Sequence, residues 1–186
     1  MRKTKRNTKR LFTEKNYNNN NGFLTTVWGP AAWHFIHTIS FNYPVKPTAS
    51  EKNKYREFIL NLENTLPCGK CRKNLNKNFK KLPLKMEHMA SRHAFSHYVY
   101  DLHELINTML GKNSHLSYED VRDRYEHFRA RCATRKNKTQ KRKTNSEKGC
   151  VEPLFGEKSK CVINIVPQTT KTDTFNMDKK CILTKE

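Results

Sequence analysis

Between residues 23 and 132 the apolar side chains recur at helical spacing, and no run there alternates with the period of two that a half-buried strand requires. Five helices are predicted. The first opens at Gly29-Pro30, because proline suits a first helical turn, and runs to about Tyr43, stopping before Pro44. It carries Trp33, His37 and Phe41 at i, i+4 and i+8, on one face. The second opens with Thr48-x-x-Glu51, a capping-box pattern, and continues in the stripe Tyr55, Phe58, Ile59, Leu62 and Leu66. The third starts near Pro67 and sets Cys71, Leu75, Phe79 and Leu82 along one side. The fourth runs from about Ser91 to Leu110, with Phe95, Tyr98, Val99, Leu102, Ile106 and Met109 as its core face and Gly111 as its cap. The fifth starts at Ser117-x-x-Asp120 and keeps Val121, Tyr125, Phe128 and Cys132 at helical spacing. Four helices with short links predict an all-α fold, a four-helix bundle with a short fifth helix lying across it.

The 186 residues suffice for one domain with a real core, and residues 23–132 are that domain. Mean hydropathy is −0.93, too polar for order throughout. Residues 1–22 hold a basic patch and then a run from Asn16 to Asn21 that is asparagine except for Tyr17; they are expected to be disordered. Residues 133–186 are expected to form a basic, largely disordered tail, in which Cys161-Val-Ile-Asn-Ile-Val166 can add a strand that would be unstable alone. The net charge is +20, with seven Lys/Arg against one acid in residues 1–22, 17 against 10 in residues 23–132, and 13 against six in residues 133–186. Such a balance attracts nucleic acid, anionic lipid or acidic proteins, although lysine-rich codon usage gives the same excess. Seven Lys/Arg between Arg135 and Lys148 form a candidate docking segment. No apolar run approaches the roughly 20 residues of a membrane helix, so no transmembrane segment is expected. No apolar core of a signal peptide follows Arg10. An unsecreted chain keeps its thiols reduced, so Cys68, Cys71, Cys132, Cys150, Cys161 and Cys181 are read first as catalytic or metal-binding.

Pro67-Cys68-Gly-Lys-Cys71 is the chemical centre. Cysteines three apart at a helix start close a disulfide with little rearrangement, and the helix N-terminus, Lys70 and Arg72 favour the thiolate. Three readings compete. Half of a zinc site needs a second pair, which His93 and His97 can supply. A thioredoxin-like motif expects a strand before the cysteines, where an amphipathic helix stands instead. The third reading is a redox disulfide in a helical bundle, coupled to a two-electron acceptor.

The neighbours favour the third. Trp28-Gly-x-x-x-Trp33-x-x-x-His37-Thr opens the first helix, Asn42-Tyr43-Pro44 closes it, and His103-x-x-x-Asn107 and Leu110-Gly-Lys112 end the fourth. With Cys68-x-x-Cys71 these pieces, over roughly residues 23–130, resemble the Erv/ALR FAD-linked sulfhydryl oxidases. The resemblance implies a four-helix bundle plus a fifth helix, a homodimer, and FAD in the mouth of the bundle. It implies no metal. It assigns Trp33 and His37 to the flavin or adenine rings and Asn74 to the cofactor just past the cysteines. Tyr100, His103, Asn107 and Lys112 would line the adenine and phosphate side, and Arg124 and Tyr125 would also reach FAD. Thr25 to Pro30, with Gly29 between them, would form a covering loop. The implied reaction takes electrons from protein thiols through Cys68, the more exposed sulfur, to Cys71, then to FAD and to oxygen, giving hydrogen peroxide.

The chain departs from the family pattern at Pro30, where many members have arginine, and at Glu104, within the His-Asn-x-x-Asn motif. Tyr100 stands in a disulfide position and no cysteine lies near Ser117, so that family bridge is absent. The tail has no CxxC; Cys150 and Cys161 are a candidate pair, Cys132 a candidate buried thiol, and the tail cysteines candidate shuttles. A basic zinc-binding nucleic-acid module is the alternative function. A structural dimer without activity is a further one, against which the intact CxxC argues. The expected location is host cytoplasm, and also the virion, for a large-DNA-virus protein, or otherwise a cytosolic or intermembrane-type compartment.

Overall fold

The computed structural model describes residues 13–131, 150–173 and 175–182. Six helices follow in order: α1 (Glu14–Tyr17), α2 (Thr25–Phe41), α3 (Ala49–Thr65), α4 (Gly69–Lys81), α5 (Arg92–Met109) and α6 (Tyr118–Glu126). The helices α2 to α6 are the five predicted from periodicity, except that α6 ends at Glu126, before Phe128, which is expected on it. Their starts are chemical. Thr48 and Glu51 form a reciprocal capping box on α3, as Ser117 and Asp120 do on α6. Ser91 caps α5 by accepting from the Ala94 amide at 3.2 Å.

The start of α2 corrects the expectation. It begins at Thr25 rather than Gly29, and Pro30 lies inside it. So near a helix start a proline forfeits one bond, that to the Thr26 carbonyl. The Trp28 indole N–H, donating to the Phe23 carbonyl at 3.1 Å, pins the turn before it. Thr25 to Pro30 are therefore helix and not a covering loop.

α2 packs on α5 and α6, α3 on α4, and α5 on both α4 and α6. Ile36, Ile59, Leu75, Phe79, Phe95, Val99 and Leu102 fill the core between them. Burying each such side chain stabilises the fold by about 1.5–3 kcal/mol. Tyr43, two residues past α2, is wholly buried in this core and donates its hydroxyl to the Met89 carbonyl at 3.0 Å. α6 closes one side through Tyr118, whose buried hydroxyl meets Ser96 at 2.8 Å.

Two segments expected to be disordered carry structure. α1 is one turn, capped by Thr13. In the tail, β2 (Glu152–Pro153) pairs antiparallel with β1 (Ala130–Arg131), just past α6. Phe175 packs against Phe128 and His34, with the Arg124 guanidinium 4.5 Å over its ring. The run 161–166 forms no strand, and Val162, Ile163 and Ile165 are exposed. Residues 1–12, the buried-thiol expectation for Cys132 and the basic segment Arg135 to Lys148 lie outside the described residues.

Candidate active site

A cavity opens between α2, α3, α4 and α5. Trp33, Ile36, Ile59, Leu62, Leu102 and Ile106 give it an apolar wall, and Asn74 and Asn78 add amides from α4. Thr25, Trp28 and Gly29 contribute the first turns of α2. Its free space, counted out through the open mouth into solvent, is about 830 Å³.

Cys71 lines this cavity and Cys68 does not. The two form a disulfide. Cys68 is the N-cap of α4, its sulfur accepting from the Cys71 amide at 3.2 Å. The positive end of the α4 dipole therefore lies at the sulfurs and stabilises a thiolate there. Thr25 Oγ1 lies 3.5 Å from Cys71 Sγ, joining the start of α2 to the redox pair. An extended strap crosses the same point: the Phe23 amide donates to the Pro67 carbonyl at 3.0 Å. Gly22 packs so closely that a Cβ there would lie 2.6 Å from the Pro67 oxygen.

Beside the cavity stands a pair of imidazoles. Trp33 stacks on His103 with ring centroids 3.8 Å apart. His37 Nε2 and His103 Nδ1 share a hydrogen bond of 2.9 Å. Burial is the main cause that holds His37 down to about 3, with the neighbouring His103 and His34 adding to it. Burial likewise lowers His103 to about 4, opposed by Glu104 and aided by Lys112. Both rings are neutral at pH 7, so one proton lies between them. His37 Nδ1 is buried with no hydrogen-bond partner among the described residues. An unpaired buried nitrogen costs about 1–3 kcal/mol. An apolar slot with the Asn74 and Asn78 amides in its wall fits a flat polar heterocycle such as a flavin.

Trp33, Asn74, Thr25 and Gly29 thus meet at the cavity, with His37 and His103 behind Trp33. The others stand apart from its lining. Pro30 is exposed. The Tyr100 hydroxyl donates to the Leu116 carbonyl at 2.8 Å, towards α6. The Asn107 amide donates to Glu104 at 2.9 Å, and Lys112 is exposed just past α5. Tyr125 stacks on Phe41 and its hydroxyl meets His34 at 3.3 Å; Arg124 lies over Phe175. Asn78 and His34 were not singled out from the sequence. Asn78 is one turn beyond Asn74 on an otherwise apolar stripe, a signal that could have found it.

The zinc alternative finds no support. Both cysteines of the motif are in a disulfide, His97 turns to Asp101 at 3.1 Å and His93 to Tyr118 at 3.3 Å. Cys150 does not pair with Cys161: Cys150 is disulfide-bonded, whereas Cys161 and Cys181 are free thiols.

The Erv1 / Alr family matches residues 30–126. A probable FAD-linked sulfhydryl oxidase of Acanthamoeba polyphaga mimivirus is 35% identical over 50% of this chain and 65% of its own length. A putative FAD-linked sulfhydryl oxidase of Invertebrate iridescent virus 6 is 31% identical over 46% of this chain and 81% of its own length. An FAD-linked sulfhydryl oxidase of Arabidopsis thaliana is 31% identical, with only 42% of its length covered. The chain thus spans less than two thirds of the mimivirus and plant relatives. The crystal structure of the yeast Erv1 core shares the fold, with a TM-score of 0.51 at 18% identity, covering 64% of this chain and 94% of that one. With the match running across just over half of the chain, over the helices that carry the cavity and its disulfide, the chain belongs to the Erv1/Alr family.

Proposed function

We propose that the chain is an FAD-linked thiol oxidase that introduces disulfides into protein substrates. The observation that carries this reading is the placement of one disulfide: Cys71 lines the apolar cavity between the helices and Cys68 lies outside that lining. The names of the viral and plant relatives support the flavin.

In this reading Trp33, His37, Asn74 and His103 hold the flavin, with Thr25 and Gly29 beside it. Tyr100, Asn107, Lys112, Arg124 and Tyr125 serve its adenine and phosphate end. A substrate thiolate attacks Cys68 Sγ; the Cys68–Cys71 bond breaks and Cys71 leaves as a thiolate. The second substrate thiolate attacks the substrate sulfur of the mixed disulfide, which frees Cys68 and closes the substrate's own disulfide. Two electrons and two protons have then left the dithiol. The N-terminus of α4 keeps Cys71 ionised against the cavity. The chemistry a bound flavin supplies is acceptance of that electron pair and its delivery to oxygen, which gives hydrogen peroxide.

The chain acts as a homodimer in this reading, through the exposed aromatic face of Phe35 and Phe58. Relatives from mimivirus, an iridescent virus and African swine fever virus support a viral protein; work in host cytoplasm and carriage in the virion belong to the same reading. The basic tails suit nucleic acid or an anionic surface. No described helix is long and apolar enough to cross a membrane.

The test is an absorbance spectrum of the purified protein, then oxygen uptake on adding dithiothreitol. A flavin band, with uptake that Cys71→Ser abolishes, is expected. A protein that binds no flavin would overturn the reading.

A further inference from the structure

α4 is charged with one sign alone. Its 13 residues hold Lys70, Arg72, Lys73, Lys77, Lys80 and Lys81 and no acid, and no acid stands anywhere from residue 64 to residue 86. Arg72 turns inward to the Leu66 carbonyl. The five lysines do not. At 3.6 residues per turn they fall within an arc of about 100°, opposite the buried Leu75, Asn78 and Phe79. All five are exposed, and none is in an ion pair among the described residues. Glu63 on the neighbouring α3 accepts from Asn76 at 2.8 Å and not from a lysine.

Surface helices usually interleave both signs. Like charges one turn apart repel by a few tenths of a kcal/mol per pair, so this face gains from an anionic partner. Its place in the fold says which partner. The stripe begins at the redox disulfide: Cys68 is the N-cap of α4 and Lys70 sits in its first turn. From there it runs about 16 Å to Lys81. On the strap beside the same disulfide, Phe23 and Leu24 hold their side chains 75% and 74% exposed.

We infer that α4 is a cationic track that selects acidic protein dithiols and draws their cysteines to Cys68. This deepens the thiol-oxidase reading and rests on it. About 16 Å is some five residues of extended chain. The preferred substrate segment therefore carries acids within about five residues of its cysteine, and an apolar residue beside the cysteine to meet Phe23. A nucleic acid would also be drawn to the lysines. A track that ends on an exchangeable sulfur matches a partner that brings a thiol.

The experiment uses the full chain loaded with FAD and three dithiol peptides that differ only in acidic, neutral or basic flanks. Oxygen uptake gives kcat/KM for each peptide, with each enzyme's rate on uncharged dithiothreitol as its reference. At low salt the acidic peptide should exceed the basic one by about tenfold or more. The ratio should fall towards one at high salt, and Lys73→Glu with Lys77→Glu should abolish or invert it. Equal rates on acidic and basic peptides, with dithiothreitol still oxidised, would overturn the track and leave the oxidase reading standing. No oxidation of dithiothreitol would remove both. A single-stranded oligonucleotide that binds wild type and not the Lys73→Glu, Lys77→Glu variant, with peptides undistinguished, would reassign the face to nucleic acid and overturn the inference.

Discussion

The indole of Trp33 on α2 lies flat on the imidazole of His103 on α5, with centroids 3.8 Å apart and planes 9° from parallel. The same imidazole hydrogen-bonds His37 at 2.9 Å. One side chain thus ties two helices both by a ring face and by a ring edge, next to the cavity.

Replacing His103 separates the two contributions. His103→Ala removes a stack worth about 0.5–1.5 kcal/mol and leaves His37 Nε2 buried without a partner, at about 1–3 kcal/mol. A loss of about 2–4 kcal/mol is expected in urea unfolding. His103→Phe keeps the stack and should lose only the second part. A Phe variant as stable as wild type would show that the hydrogen bond contributes nothing.

The histidine pair also sets a pH dependence. Both groups titrate near 6.5 when unfolded and at about 3 and about 4 in the fold. Between those values the unfolded chain binds more protons, so stability rises with pH there. Above pH 6.5 both rings are neutral in either state and the pair adds no slope. As pH falls from about 6.5 towards 4, stability should drop by up to about 1.4 kcal/mol per unit for one such histidine. Thermal melts across this window should show His103→Phe with a shallower decline than wild type. Parallel declines would place the acid sensitivity elsewhere.

Most of the helical frame was legible because its signals are local. The capping boxes at Thr48 and Ser117 and the stripes that follow them need only neighbours three and four residues away. What was not legible depends on contacts between distant segments. The early start of α2 hangs on the Trp28–Phe23 bond and on Thr25 meeting Cys71, while Pro30 locally argues for a later start. Trp33 with His37, and His103 with Asn107, stand at i, i+4 on two separate helices. Nothing local says that His37 and His103 would bond, or that Asn107 would turn to Glu104. In the tail, Phe175 finds Arg124 and Phe128 across a long separation that no periodicity records.

A second tail contact depends on a glycine. Gly156 adopts φ +66°, and a Cβ there would lie 2.7 Å from the Lys180 carbonyl oxygen. The adjacent Glu157 amide donates to that oxygen at 2.9 Å. Gly156→Ala adds about 1–2 kcal/mol of left-handed strain and a clash. It should free the segment around Cys181 while leaving the bundle's stability within about 0.5 kcal/mol. Hydrogen exchange at the Glu157 amide should rise sharply with no change in melting temperature. Unchanged protection there would mean that the turn tolerates a side chain.

The proposed dimer rests on an apolar face left exposed among the described residues. Phe35 on α2 and Phe58 on α3 are 58% and 38% exposed and meet edge to face at 6.4 Å. Ile39, Lys54 and Tyr55 complete a shallow hollow beside Phe58. Aromatic anchors of this kind carry about 2 kcal/mol or more of an interface, roughly 30-fold in Kd. Phe35→Glu with Phe58→Glu should therefore convert a dimer to a monomer in sedimentation velocity. Helix content by circular dichroism should hold, since neither ring is in the buried core. A wild-type chain that sediments as a monomer at micromolar concentration would refute the dimer, and a double variant that still dimerises would move the interface off this face.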